Sequence, residues 1–134
     1  MNWLRKIIGS DPRDRVRILA VLPNPEDRVS LTAIASHEGW SLRLASHCGS
    51  AVEILQHHPA DIILCARDVR PSGWRDALTT LAAQSPGACL ILASPENDDR
   101  FWLEVIERGG FDVITTPLHA ARVVQAVRQA LKPA

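Results

Sequence analysis

The stretch Asp61-Ile62-Ile63-Leu64-Cys65-Ala66 decides the fold. After its first residue it is apolar throughout, and the run is too short to make a buried helix. A second run of the same kind, Ala88 to Ala93 (ACLILA), follows one helical pattern later. Strands that are apolar on both faces suit the middle of a parallel sheet with helices packed above and below. The two runs are therefore expected to be central strands.

The pattern repeats in both directions along the chain. Val16 to Leu22 (VRILAVL) reads as the first strand. Asn24-Pro25-Glu26-Asp27 then supplies an N-cap, a proline at the first helical position and acids in the first turn. A stripe of Val29, Leu31, Ala33 and Ile34 runs to Gly39, a helix stop. Ser41 to Ala45 (SLRLA) alternates polar and apolar, which predicts an edge strand with one wet face. A helix over residues 49–57 carries Ala51, Val52, Ile54 and Leu55 and is closed by Pro59.

Between the two central strands a helix spans residues 72–84, stopped by Pro86-Gly87. Ser94-Pro95 and Asn97-Asp98 start the next helix, with apolar positions Phe101, Trp102, Val105 and Ile106 and a stop at Gly109-Gly110. The fifth strand is Phe111 to Thr115. The last helix, Leu118 to Leu131, has its stripe at Val123, Val124, Val127 and Leu131. Strands that alternate with helices imply right-handed βαβ units and a parallel sheet. Five units make a three-layer (βα)5 sandwich, and the 134 residues leave no room for a second domain. The domain is placed at residues 16–134. Residues 1–15 lie outside the repeat: an amphipathic segment with Trp3, Leu4, Ile7 and Ile8 against Arg5 and Lys6, then the polar linker GSDPRDR. Trp3 is free to dock on the domain, on a second copy or on a membrane surface, or to sit in a tail with no role.

Bulk properties narrow the function. Lys plus Arg and Asp plus Glu each number 15, so no global field draws the chain onto nucleic acid or an anionic membrane. Cys48, Cys65 and Cys89 show no CxxC spacing, and two of them sit in apolar runs where cysteine packs as a small hydrophobe. No stretch is long and apolar enough for a membrane span, and no signal peptide opens the chain. A reduced, cytoplasmic protein is expected. His37, His47, His57, His58 and His119 lack metal-ligand spacing, so no metal site is assigned. The first loop, Leu22-Pro23-Asn24-Pro25, has two prolines that remove the N–H donors a phosphate cradle needs.

Several strings resemble the CheY-like receiver domains of bacterial two-component response regulators. They are Glu38-Gly39-Trp40-Ser41-Leu42 before the second strand, Ala45 to Leu55 (ASHCGSAVEIL), Pro59 to Leu64 (PADIIL) and Gly109 to Pro117 (GGFDVITTP). The resemblance spans residues 16–131. It implies a flavodoxin-like sheet of order 2-1-3-4-5 with its site at the strand C-termini. In that family an acid pair after the first strand holds Mg²⁺ and an Asp ending the third strand accepts a phosphoryl group. A hydroxyl ends the fourth strand, and a Lys precedes the proline after the fifth.

In this chain the acid pair falls on Leu22 and Pro23, the acceptor on Ala66, the hydroxyl on Ala93 (with Ser94 beside it) and the lysine on Thr116. The family's rotating aromatic falls on Val113. The loop proline, Pro71, sits one residue late. All of the phosphorylation functions are missing together. The expectation is a phosphorylation-independent receiver-like signalling module without enzymatic activity or cofactor, acting on a protein partner or on a second copy of itself.

Asp68 is the fallback phosphoacceptor, with Glu26 or Asp27 as its metal ligands; a ligand-binding or enzymatic flavodoxin-like domain is the remaining alternative. The chain closes on Lys132-Pro133-Ala134, so no output domain is expected. By the family's habit, the partner surface would use Arg100, the exposed part of Phe101, Glu104, Arg108, Arg122 and Gln125. Trp40 and Trp102 are expected in the core, and Trp74 in the space that the missing acids vacate.

Overall fold

The computed structural model describes residues 15–133. The segment containing Trp3, Leu4, Ile7 and Ile8 lies outside the described residues. Five strands alternate with five helices: β1 (Arg17–Val21), α1 (Pro25–Glu38), β2 (Ser41–Ala45), α2 (Cys48–His57), β3 (Ile62–Ala66), α3 (Trp74–Gln84), β4 (Cys89–Ser94), α4 (Asp99–Glu107), β5 (Asp112–Thr115) and α5 (Ala120–Ala130). All strand pairs are parallel, in the order β2-β1-β3-β4-β5. The sheet order and the (βα)5 sandwich therefore stand as expected.

Burial follows the pleat. Successive side chains of a strand face opposite layers, so Ile18, Ala20 and Leu22 pack toward one layer while Leu19 and Val21 pack toward the other. The first layer holds α1 and α5, through Leu31, Ile34, Val123, Ala126 and Val127. The second holds α2, α3 and α4, through Ala51, Leu55, Ala77, Leu78, Leu81, Phe101 and Val105. β3 is buried at every position, while β2 is half wet, as its alternation predicted. Each fully buried aliphatic side chain contributes about 1.5–3 kcal/mol of transfer free energy.

Local signals set the ends. Asn24 caps α1 by accepting a hydrogen bond from the Glu26 N–H at 2.9 Å. Gly39 ends α1 at φ 75°, a left-handed conformation that a side chain would strain. His47 caps α2: its Nδ1 accepts from the Ser50 N–H at 3.2 Å. At the opposite end of the sheet from the site, Asp61 accepts from the Arg17 N–H at 2.8 Å and from its Nη2 at 2.9 Å, tying β1 to β3. These bonds hold the Asp61 carboxyl below the usual carboxylate range.

Three expectations about helix faces are corrected. Val29 is 70% exposed and Ala33 is exposed, so the buried stripe of α1 is Leu31, Ile34 and Ala35. Trp102 is 42% exposed and is no core residue, because α4 turns Phe101 and Val105 inward and so rotates Trp102 away. Leu131 lies past the end of α5 and is 43% exposed.

Candidate functional site

The C-terminal ends of β1, β3, β4 and β5 converge where open α/β sheets bind their ligands. Register fixes which residues meet there: Val21 is level with Cys65, Ala66 with Ala93, and Ala93 with Ile114. Leu22, Ala66 and Ala93 are 0%, 5% and 2% exposed and pack in the α1–α5 layer with Leu118. Apolar side chains of Leu22, Ala66 and Ala93 thus fill the α1–α5 side of these strand ends.

The loop between β1 and α1 is held by backbone and by a cation. The Leu22 N–H donates to the Ala45 carbonyl at 2.9 Å. Arg28, one helical turn into α1, donates from Nη1 to the Leu22 carbonyl at 2.7 Å and to the Pro23 carbonyl at 2.9 Å. A guanidinium therefore sits against the loop in which a receiver would hold a divalent cation. Leu22 is apolar and Pro23 offers no ligating side chain, so these residues do not fit Mg²⁺. Nothing in the strand pattern pointed to Arg28; the signal available was its position, six residues past Leu22 on a helix that returns over that loop.

On β4 the buried Ser94 turns its Oγ to the following loop and accepts from the Glu96 N–H at 3.2 Å. Thr116, half-buried, donates its N–H to the Ser94 carbonyl at 3.0 Å, and its bond to Pro117 is cis, as is Arg70–Pro71. Asp68 is exposed, and its charge reaches Asp27. Burial first, then the charges of Asp68 and Glu26, raise the Asp27 carboxyl above its ordinary value. The fallback acids thus neighbour one another, yet among the described residues no three His, Cys, Asp or Glu side chains are gathered so as to hold a metal ion.

Trp74 does not occupy the vacated acid space. It is buried in the α2–α3–α4 layer, on the other face of the sheet from Leu22, and Leu22 itself fills the first-strand position. Trp74 meets Phe101 edge-to-face at 5.2 Å and 85°. The Arg67 guanidinium, next to Ala66, lies 4.0 Å over the Phe101 ring, and that of Arg75 lies 4.7 Å over Trp74. Glu104 joins the assembly by accepting from Arg75 (Nη2–Oε1 2.7 Å) and from Arg108 (Nε–Oε2 2.8 Å). These bonds, Arg75 foremost, push the Glu104 carboxyl down to about 2. Val113, at the rotating-aromatic position, is buried in the same layer. The cluster bridges α3 and α4.

The six residues expected to form a partner surface differ in burial and in their contacts. Phe101 is 4% exposed and belongs to the core. Glu104 and Arg108 are bound into the α3–α4 cluster, and Arg122 donates to Asp112 (3.0 Å) and to the Val113 carbonyl (3.2 Å). Arg100 and Gln125 are exposed. Trp102 and Leu103 on α4 and Phe111 just before β5 are large apolar side chains left exposed, which the residue pattern assigned elsewhere or passed over.

The strand order and the two helical layers define a flavodoxin-like, CheY-like α/β fold. Among solved structures the chain is similar to a CheY-like receiver domain protein of Methanospirillum hungatei, with TM-score 0.78 and 16% identity over 87% of this chain and 93% of that one. It is also similar to the signal receiver domain of an HD domain-containing protein of Pseudomonas fluorescens (TM-score 0.78, 22% identity, 87% and 94% covered). A response regulator of Thermotoga maritima matches with TM-score 0.80 at 12% identity (87% and 98% covered). No protein-family model and no curated protein matches the sequence. No helix among the described residues is long and apolar enough to cross a membrane.

Proposed function

We propose that this chain is a receiver-fold signalling module that works without phosphorylation, by binding another protein. The observation that carries the reading is the set of buried apolar side chains at the strand ends, Leu22, Ala66 and Ala93, beside Pro23 and Thr116. Phosphoryl transfer to a receiver depends on an acceptor carboxylate, with a metal ion and a lysine to offset the charge of the transferred group. Ala66 has no nucleophile, Leu22 and Pro23 carry no ligating side chain, and Thr116 has no charge. Protein contact is supported by the exposed Trp102 and Leu103 on α4, on the same helix as the exposed, charged Arg100, since exposed apolar side chains with a polar rim suit an interface.

The test exposes the full chain to acetyl phosphate with Mg²⁺, and separately to Mg²⁺ with beryllofluoride. No mass increase and no rise in melting temperature are expected, because a ligand that binds the native state must stabilise it. A phosphoryl label on Asp68 would replace this reading with that of an active receiver. In a second arm, Trp102→Glu and Leu103→Glu are expected to abolish capture of the physiological partner while leaving the fold intact. Undiminished capture would remove the α4 face from the proposal.

A further inference from the structure

We infer that the N-terminal amphipathic segment, residues 3–8, docks in cis into the groove between α1 and α5. This inference does not depend on the state of the strand ends. The groove has a volume of about 770 Å³ and is predominantly apolar, lined among others by Ala33, Ile34, Ala120, Ala121 and Val124. Small side chains at Ala33, Ala120 and Ala121 let a third chain segment come close to both helices, and Val124 and Ile34 give it an apolar floor. Glu38 and Arg128, 3.9 Å apart, bridge α1 and α5 across it.

Two observations point to this occupant. The first is where the chain enters the domain. Val16, just before β1, packs in the same layer as Val124 and Ala130 of α5, and the Cys89 thiol at the start of β4 lies 3.4 Å from the Ala130 carbonyl. The chain therefore arrives at the end of the sheet where α1 and α5 finish, beside the groove. The linker of residues 9–14 would reach up to about 20 Å when extended, and a helix of eight residues, the length of 1–8, would add about 12 Å. Together they would reach along most of α5.

The second is chemistry. At 100° per residue, Trp3, Leu4, Ile7 and Ile8 fall within one arc and Arg5 and Lys6 opposite it. Such a segment presents a convex apolar ridge to a concave apolar groove and leaves its cations in water. A second copy fits less well. A two-fold contact would set groove against groove, leaving the hollow unfilled. Tethering also gives the segment a high effective concentration that a separate chain lacks.

The test is hydrogen exchange with mass spectrometry on the full chain and two variants, with the oligomeric state measured alongside. Trp3→Ser/Ile7→Ser empties the ridge, and Ala121→Arg fills the groove from an exposed position. Both are expected to speed exchange of residues 1–8 by about tenfold or more, with a matching loss of protection confined to the C-terminal half of α1 and to α5. The chain should stay monomeric at all concentrations. Exchange unchanged in both variants would overturn the inference. So would protection that grows with protein concentration, or protection that appears only when anionic phospholipid vesicles are added.

Discussion

Phe101 and Trp102 are neighbours on α4 with opposite fates, and the pair offers a sharp test of how α4 is rotated. Phe101 is 4% exposed, edge-on to Trp74 at 5.2 Å and capped by Arg67. Phe101→Ala removes a fully buried ring and leaves a cavity, which costs about 3–5 kcal/mol; the lost aromatic pair is part of that sum. Trp102 is the larger side chain, but at 42% exposure much of it already meets water. Trp102→Ala loses only the transfer free energy of its covered part, about 1–2 kcal/mol. Urea unfolding followed by far-ultraviolet circular dichroism separates the two. With a slope of about 1–3 kcal/mol per molar urea, the Phe101→Ala midpoint should fall about 1–2 M below that of Trp102→Ala. Equal costs, or a larger cost at Trp102, would refute the assigned rotation of α4 and return Phe101 to the surface. Phe101→Leu, expected to lose about 1.5 kcal/mol or less, guards against a variant too unstable to measure.

Restoring one group should not restore the chemistry. Ala66→Asp is expected to take no label from acetyl phosphate, because Leu22 and Pro23 still offer no metal ligand, and it should lower stability by burying a carboxylate. A label on the introduced carboxylate would show that the first loop is not the barrier. The Glu104 carboxyl is held at about 2, against 4.5 when free. Its stabilisation is complete above pH 4.5 and lost as the pH falls toward 2, so Glu104→Gln should flatten that part of the acid-unfolding curve. A Cβ on Gly110 would run into Val105 Cγ1 and lie 3.0 Å from the Val105 carbonyl oxygen. Gly110→Ala should therefore cost about 1–3 kcal/mol in the same urea assay, and a neutral result would mean that α4 and β5 are less closely packed there.

Much of the fold was legible because it rests on local signals. Continuous apolar runs marked β3 and β4 as central, the alternation in Ser41 to Ala45 marked an edge, and Asn24 and Gly39 marked the ends of α1. That Leu22, Pro23 and Ala66 carry no carboxylate could also be read directly, whatever their surroundings. Helix rotation could not be read this way. Phe101, Trp102, Val105 and Ile106 are all apolar, and only packing against Trp74 and Val113 selects which of them face inward.

What the sequence determined alone is therefore composition at fixed positions: which side chains stand at the strand ends, and the order of strands and helices, with their starts placed only to within a residue or two. Tertiary structure decided what surrounds them. Arg28 reaches the carbonyls of Leu22 and Pro23 only because α1 turns back over β1, and Glu104 meets Arg75 only because α3 and α4 lie side by side. Those contacts join residues distant in sequence or turned by a helix, and their partners are chosen by the packing of layers. No local pattern encodes that choice, which is why chain position alone sets Trp74 beside the end of β1 while packing puts it on the other face of the sheet from Leu22.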